Sequence, residues 1–153
     1  MAARESILRF LTFIITPYTS YDKDLDSFLN KGMVDINKMS TQEIEKLQRR
    51  FIRTMMAAYE IFGREAFRKR YKVAAPRSPI NKALFESWAV NLSQLNEDQI
   101  QVLEAKKLLL QEKFISLMND PAFNNAVSQS TGDINRVKLR FSAINQLIKE
   151  VLA

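Results

Sequence analysis

STQEIEKLQRRFIRTMMAAYEIFG, residues 40–63, is the stretch whose reading decides the fold. Ser40 and Glu43 stand at the spacing of a capping box: the serine hydroxyl takes a first-turn amide and the glutamate reaches back to the cap. Ile44, Leu47, Phe51, Met55, Ala58 and Phe62 then recur every three or four positions, which lines them along one helical face. Gly63 follows as the stop, because glycine enters a helix-ending cap without steric cost. Arg49, Arg50 and Arg53 fall on other faces. Start signal, apolar stripe and stop signal agree on one amphipathic helix.

The same pattern extends towards the N-terminus. Asp24 is placed to cap a helix from Leu25 to about Lys38 whose apolar face is Leu25, Phe28, Leu29 and Ile36. Gly32 in its middle costs about 1 kcal/mol relative to alanine, a cost that a close helix crossing would explain. Residues 5–16 form the first helix, with Leu8, Leu11 and Ile15 on one face and Ile7, Phe10 and Ile14 widening it. So wide a stripe calls for cover on most sides, from this chain or another. Pro17 ends it. Arg9 interrupts the apolar run and no small-residue cleavage site follows, so this is a buried helix rather than a signal peptide. No run approaches the roughly 18 apolar residues of a membrane span.

Towards the C-terminus, Arg64 to Tyr71 reads as a further helical turn and residues 73–79 as a loop. Ser78 and Pro79 then read as N-cap and first residue of a helix through about Leu92, with Ile80, Ala83, Leu84, Trp88 and Leu92 facing inward. Asn96 and Gln99 open a long helix to Met118 that buries Ile100, Leu103, Leu110, Phe114 and Leu117, with Glu104 pairing Lys106 or Lys107 on its solvent side. Asp120 and Pro121 open a short helix holding Phe123, Ala126 and Val127. Ser130 and Asp133 precede the last helix, which runs to about Val151 with Ile134, Val137, Phe141, Ile144 and Ile148 at helical spacing. Three glycines and four prolines are too few for a chain of many short strands. No repeat or linker divides the chain. The expected fold is all-α: a single-domain irregular helical bundle of about six to eight helices over residues 1–153.

Composition narrows the chemistry. The chain has no cysteine and no histidine. That removes disulfides, thiolate metal sites, the commonest general base and the Ser-His and Cys-His nucleophile pairs. Asp22, Asp24 and Asp26 alternate as in a calcium loop, but Ser27 and Met33 stand where that loop needs glycine and glutamate. No glycine-rich phosphate loop exists. Catalytic residues, metal sites and cofactors are therefore all expected to be none. Trp88 and the phenylalanines at 51, 62, 85, 114 and 141 read as core.

The net charge is +6 and the pI about 9.7, which suits nucleic acid, anionic lipid or an acidic protein. The richest basic cluster is Arg64, Arg68, Lys69, Arg70, Lys72 and Arg77, interleaved with Phe67 and Tyr71. Cations beside aromatics can track a phosphate backbone and stack bases; the same cluster also fits a solvated or protein-facing surface. Arg136, Lys138 and Arg140 form a second group. Val137 and Phe141 fix the inner face there, which puts Arg136 and Arg140 together on one flank. Either arginine can alternatively pair with a carboxylate of a neighbouring helix. The nucleic-acid-binding candidates are Arg64, Arg68, Lys69, Arg70, Lys72, Arg77, Arg136 and Arg140.

Five strings stand in a telling order: Arg4-Glu5-Ser6-Ile7-Leu8-Arg9-Phe10-Leu11, Asp26-Ser27-Phe28-Leu29-Asn30, Phe62-Gly63-Arg64-Glu65-Ala66-Phe67-Arg68-Lys69, Pro79-Ile80-Asn81-Lys82-Ala83-Leu84-Phe85-Glu86, and Arg136-Val137-Lys138-Leu139-Arg140-Phe141. Over nearly the whole chain this series resembles the C-terminal helical half of GmrS-like proteins, the ParB/sulfiredoxin-type family also called domain of unknown function 262. The resemblance implies a bacterial, cytoplasmic accessory module of a phage-restriction system. That family's nucleotide hydrolysis and nicking belong to an N-terminal half, whose Asp-Gly-Gln-Gln-Arg-type motif has no counterpart here, so no catalytic residue carries over. The expected partners are DNA, a catalytic N-terminal half or partner protein, and a second copy of the chain; no membrane is expected. A free-standing basic DNA-binding or protein-interaction domain is the alternative.

Overall fold

The computed structural model describes residues 2–22 and 24–153. Among them are eight α-helices: α1 Ala2–Ile15, α2 Leu25–Asn37, α3 Thr41–Phe62, α4 Lys82–Ser93, α5 Glu97–Ala105, α6 Lys107–Met118, α7 Pro121–Ser128 and α8 Ile134–Leu152. The fold is the all-α single-domain bundle that the periodicity predicts, and most helix starts lie where a capping side chain puts them. Asp24 accepts from the Ser27 amide, and Ser40 and Glu43 close their box in both directions. Asn96 and Gln99 do the same for α5, and Asp120 and Asp133 cap α7 and α8. Each such cap contributes about 1 kcal/mol by satisfying an amide that lacks an intrahelical partner.

Helix α4 is the axis of the bundle, and residues 83–93 are buried all round. On one side Leu84, Trp88 and Leu92 join Ile61 and Phe62 of α3, Leu103 of α5, Phe114 of α6 and Ile144 of α8. On the other, Phe85, Ala89 and Val90 join Phe10 and Phe13 of α1, Phe28 of α2 and Phe141 of α8. The apolar stripe read from the sequence is thus half of the buried surface, except for Ile80, which precedes the helix and is 54% exposed rather than turned inward. A helix without a wet face must satisfy its polar groups internally. Ser87 Oγ donates to the Ala83 carbonyl at 2.7 Å, and Asn91 Nδ2 donates to Ser87 at 2.7 Å and to Phe141 at 3.2 Å.

Gly32 sits at the predicted close crossing. A Cβ placed there would lie 2.7 Å from Thr12 Cγ2, so α1 and α2 approach only because the side chain is absent. The inward face of α1 is rotated from the expected stripe: Phe10 and Phe13 are buried with Arg9 and Thr12, while Leu8, Leu11 and Ile15 are half-covered. Three boundaries also move. Arg64 to Tyr71 is not a helical segment; only Gly63–Glu65 forms a 3-10 turn, after which the chain runs irregularly. Ser78 and Pro79 do not start α4; Asn81 does, accepting from the Leu84 amide at 2.8 Å. The long helix to Met118 breaks at Lys106, whose φ of −104° and ψ of 23° end α5 and whose Nζ donates to the Val151 carbonyl at 3.1 Å. Glu104 forms no ion pair with Lys106 or Lys107.

Candidate nucleic-acid interface

The basic loop starts where α3 stops. Gly63 takes φ 60° with open space around it, so backbone geometry, not crowding, requires glycine. Phe67 also has positive φ, 63°, a conformation that costs a non-glycine residue about 1–3 kcal/mol. Its ring packs 4.7 Å from that of Phe85, and its carbonyl accepts from the Asn81 amide at 2.8 Å. A lone bridge then joins Arg68 to Ile80. These contacts pin both feet of the loop to the start of α4 and leave residues 71–74 and 76–77 exposed.

Several of the loop's cations hold its shape. Arg68 donates to the carbonyls of Arg64 at 2.8 Å and Ser78 at 2.6 Å, tying one foot to the other. Arg70 reaches the Val73 carbonyl at 3.2 Å and Gln111 Oε1 at 3.3 Å. Lys69 Nζ donates to Ser128 Oγ at 2.6 Å, and the Tyr71 hydroxyl to Asn124 Oδ1 at 2.6 Å, which fastens the loop along α7. Asn119 Nδ2 donates to the Tyr71 carbonyl at 2.9 Å. Arg64, Lys72 and Arg77 are exposed, and their side chains form no hydrogen bond among the described residues.

All of these partners are neutral. None of the six cations forms an ion pair among the described residues. Glu65 is the one carboxylate of the stretch against six cations, so nearly all of the chain's net charge of +6 sits on this loop. Its field is unneutralised and its position fixed by hydrogen bonds, the combination that suits a polyanion. Tyr71 stands exposed beside the cations and offers a stacking face.

The two arginines of α8 part company. Arg136 Nη1 donates to the carbonyls of Asn125 at 3.0 Å and Gln129 at 2.7 Å, closing the C-terminal end of α7 next to the Lys69–Ser128 bond. It therefore belongs to the basic surface. Arg140 does not: it is fully buried. It pairs with Glu86 and donates to the carbonyls of Ala126 at 3.2 Å and Thr131 at 2.8 Å. The expectation of a nucleic-acid contact at Arg140 is corrected; of the two roles open to it, pairing with a neighbouring helix's carboxylate is the one realised. Glu86 also accepts from Arg9 Nη1 at 3.0 Å, and Arg9 bonds Glu5, which in turn holds Lys82 at 2.8 Å. The Lys82 hydrogen bond, with help from Arg9, holds the Glu5 carboxyl below the usual range.

Sequence reasoning missed Glu86. The available signals were Arg9 inside an apolar run and a single charged residue within residues 83–93. Elsewhere acids and bases are already engaged. In the hollow between α6 and α8, Lys113 pairs with Glu150 at 3.5 Å and Asp120 caps α7. No cluster of three or more acidic side chains is placed to hold a metal among the described residues, and no helix is long and apolar enough to cross a membrane.

Comparison with protein-family models, curated proteins and solved structures finds no match.

Proposed function

We propose that the chain is a non-catalytic helical module that contacts the phosphate backbone of nucleic acid through its 64–77 loop and Arg136, and thereby serves a larger nucleic-acid-processing assembly. The observation that carries this reading is the set of six loop cations: neutral partners hold Arg68, Lys69 and Arg70 in place, and none of the six forms an ion pair among the described residues. A structural salt-bridge network would have supplied carboxylates; this surface leaves the charge for a ligand. The absence of histidine and cysteine supports a binding rather than a catalytic role. The resemblance to the C-terminal half of GmrS-like proteins agrees, since it places such a module beside a nucleotide-hydrolysing nuclease half in the bacterial cytoplasm.

The test is fluorescence anisotropy with labelled duplex DNA. Arg64, Lys72 and Arg77 carry no structural bond, so changing all three to alanine removes charge without disturbing the loop. Affinity at low salt is expected to fall by at least about tenfold, roughly uniformly across sequences. Unchanged affinity in a correctly folded triple variant would reject the loop as the contact.

A further inference from the structure

The 64–77 loop holds two aromatic side chains, and the core takes only Phe67. Tyr71 is 41% exposed, and no other ring lies against its face among the described residues. The residue is nonetheless held at both ends. Its hydroxyl donates to Asn124 Oδ1 of α7 at 2.6 Å, and its carbonyl accepts from Nδ2 of Asn119, the residue that closes α6, at 2.9 Å. A ring fixed in this way has already given up the side-chain freedom that a ligand would otherwise have to remove, so its open face is ready for stacking.

The same helix places cations beside the ring. Ser128 stands one turn along α7 from Asn124, about 6 Å at 1.5 Å per residue, and its Oγ takes the Lys69 ammonium at 2.6 Å. Arg136 lies on the carbonyls of Asn125 and Gln129, the next residues round. Lys72 follows Tyr71 on the exposed part of the loop. The acid nearest in sequence to these groups, Asp120, is engaged on the Phe123 amide as the cap of α7. A flat aromatic face set among cations discriminates between forms of nucleic acid. In a duplex every base is stacked on its neighbours, and a side chain on a surface loop meets sugar and phosphate. In a single strand a base can leave its neighbours and lie on a side-chain ring while the phosphates on either side meet cations.

We infer that the loop takes single-stranded nucleic acid in preference to duplex, with one base stacked on Tyr71 and the adjoining phosphates on Lys69, Lys72 and Arg136. This rests on the phosphate-binding role proposed for the loop and adds to it the form of the strand. A duplex still meets the cations and is bound, but it leaves the ring unused.

The experiment measures anisotropy at low salt with labelled probes about 12 nucleotides long: oligothymidylate, oligouridylate, an abasic strand and a duplex. The full chain is expected to bind the tighter of the two base-bearing strands at least about fivefold better than the abasic strand. Tyr71→Ala is expected to weaken that strand by at least about fivefold, the least that stacking on an aromatic side chain contributes, and to leave the abasic strand and the duplex within about twofold. Tyr71→Phe keeps the ring, loses only the bond to Asn124, and is expected to retain most of the affinity. Tyr59→Ala removes a ring that is 62% exposed on α3, outside the loop, and is expected to change nothing. A Tyr71→Ala variant that binds the base-bearing strand as the parent does would overturn the inference. So would one that weakens all four probes alike, since that marks a disturbed loop rather than a lost stack; in both cases the phosphate reading survives. Absence of binding to every probe would remove the phosphate reading itself, and this inference with it.

Discussion

Replacing Glu86 by glutamine tests the polar centre of the bundle. Glu86 and Arg140 are fully buried and Arg9 nearly so, with Glu86 the shared anion of both arginines. Glutamine keeps the volume but removes the charge, and leaves two guanidinium groups in a low-dielectric interior. Breaking one buried pair by removing a partner costs about 3–5 kcal/mol. With two cations orphaned at once, although Arg9 keeps Glu5, the upper half of that range is expected. A domain of this kind has about 5–15 kcal/mol in total, so Glu86→Gln loses a large share of its stability. Urea denaturation followed by Trp88 emission reads this directly, since Trp88 is the only tryptophan and is buried. The triple variant Arg9→Met/Glu86→Leu/Arg140→Met is expected to recover part of the loss. Full recovery is not expected, because Arg140 also serves the Ala126 and Thr131 carbonyls, and an unsatisfied buried acceptor costs about 1–3 kcal/mol. A Glu86→Gln variant destabilised by less than about 1 kcal/mol would refute the reasoning.

Other substitutions follow from particular contacts. Gly32→Ala forces a methyl against Thr12 and is expected to cost about 1–2 kcal/mol, the overpacking penalty less the gain in helix propensity; thermal melts that rise instead would mean that α1 and α2 separate easily. Asn81→Ala removes both the α4 cap and the 2.9 Å bond from Asn81 Nδ2 to the Val127 carbonyl, for a loss of about 1–2 kcal/mol in urea titrations. The Glu5 carboxyl is held below its ordinary value of 4.5 by Lys82, so its contribution is present above that pH and is lost as pH falls through the lowered value. The advantage of the parent chain over Glu5→Gln is therefore expected in full at about pH 6 and shrinks as the pH falls below 4.5. It stays under about 1 kcal/mol, because the Glu5–Lys82 pair is part-exposed and screened. An advantage that grows with acidity would contradict the assignment.

Helices were legible where local signals decide them. The Ser40–Glu43 and Asn96–Gln99 boxes, the Pro17 stop and the Gly63 stop all act within one or two turns, and the structure keeps each. Misreadings arose where distant packing outweighs local preference. The basic residues after Gly63 have helical propensity, but Phe67 is drawn onto Phe85, and the chain must return to Ile80, so they form a pinned loop. Asn81 displaces Ser78 as cap because its amide also reaches Val127. The long helix gives way at Lys106, where that side chain closes the end of α8. Of the candidate surface, the 64–77 cluster was readable as a run of charge. Arg136 and Arg140 share a flank by helical spacing, yet only the fold decides that one closes α7 and the other pairs with Glu86. The hollow that Ile7 and Leu11 form with Ile36, Leu47, Phe51 and Ile52 was half legible: the wide stripe on residues 7–15 called for cover, while its open side on α3 depends on where α1 and α2 lie.

The most direct test of the account is the salt dependence of duplex DNA binding by the full chain. Three or four phosphate contacts from Arg64, Lys72, Arg77 and Lys69 predict that log K falls linearly with log salt, with a slope of about −3 to −4. The Arg64→Ala/Lys72→Ala/Arg77→Ala variant is predicted to lose about three units of that slope. Absence of binding even at low salt, or a slope that the triple variant leaves unchanged, would contradict the claim that this loop meets a phosphate backbone.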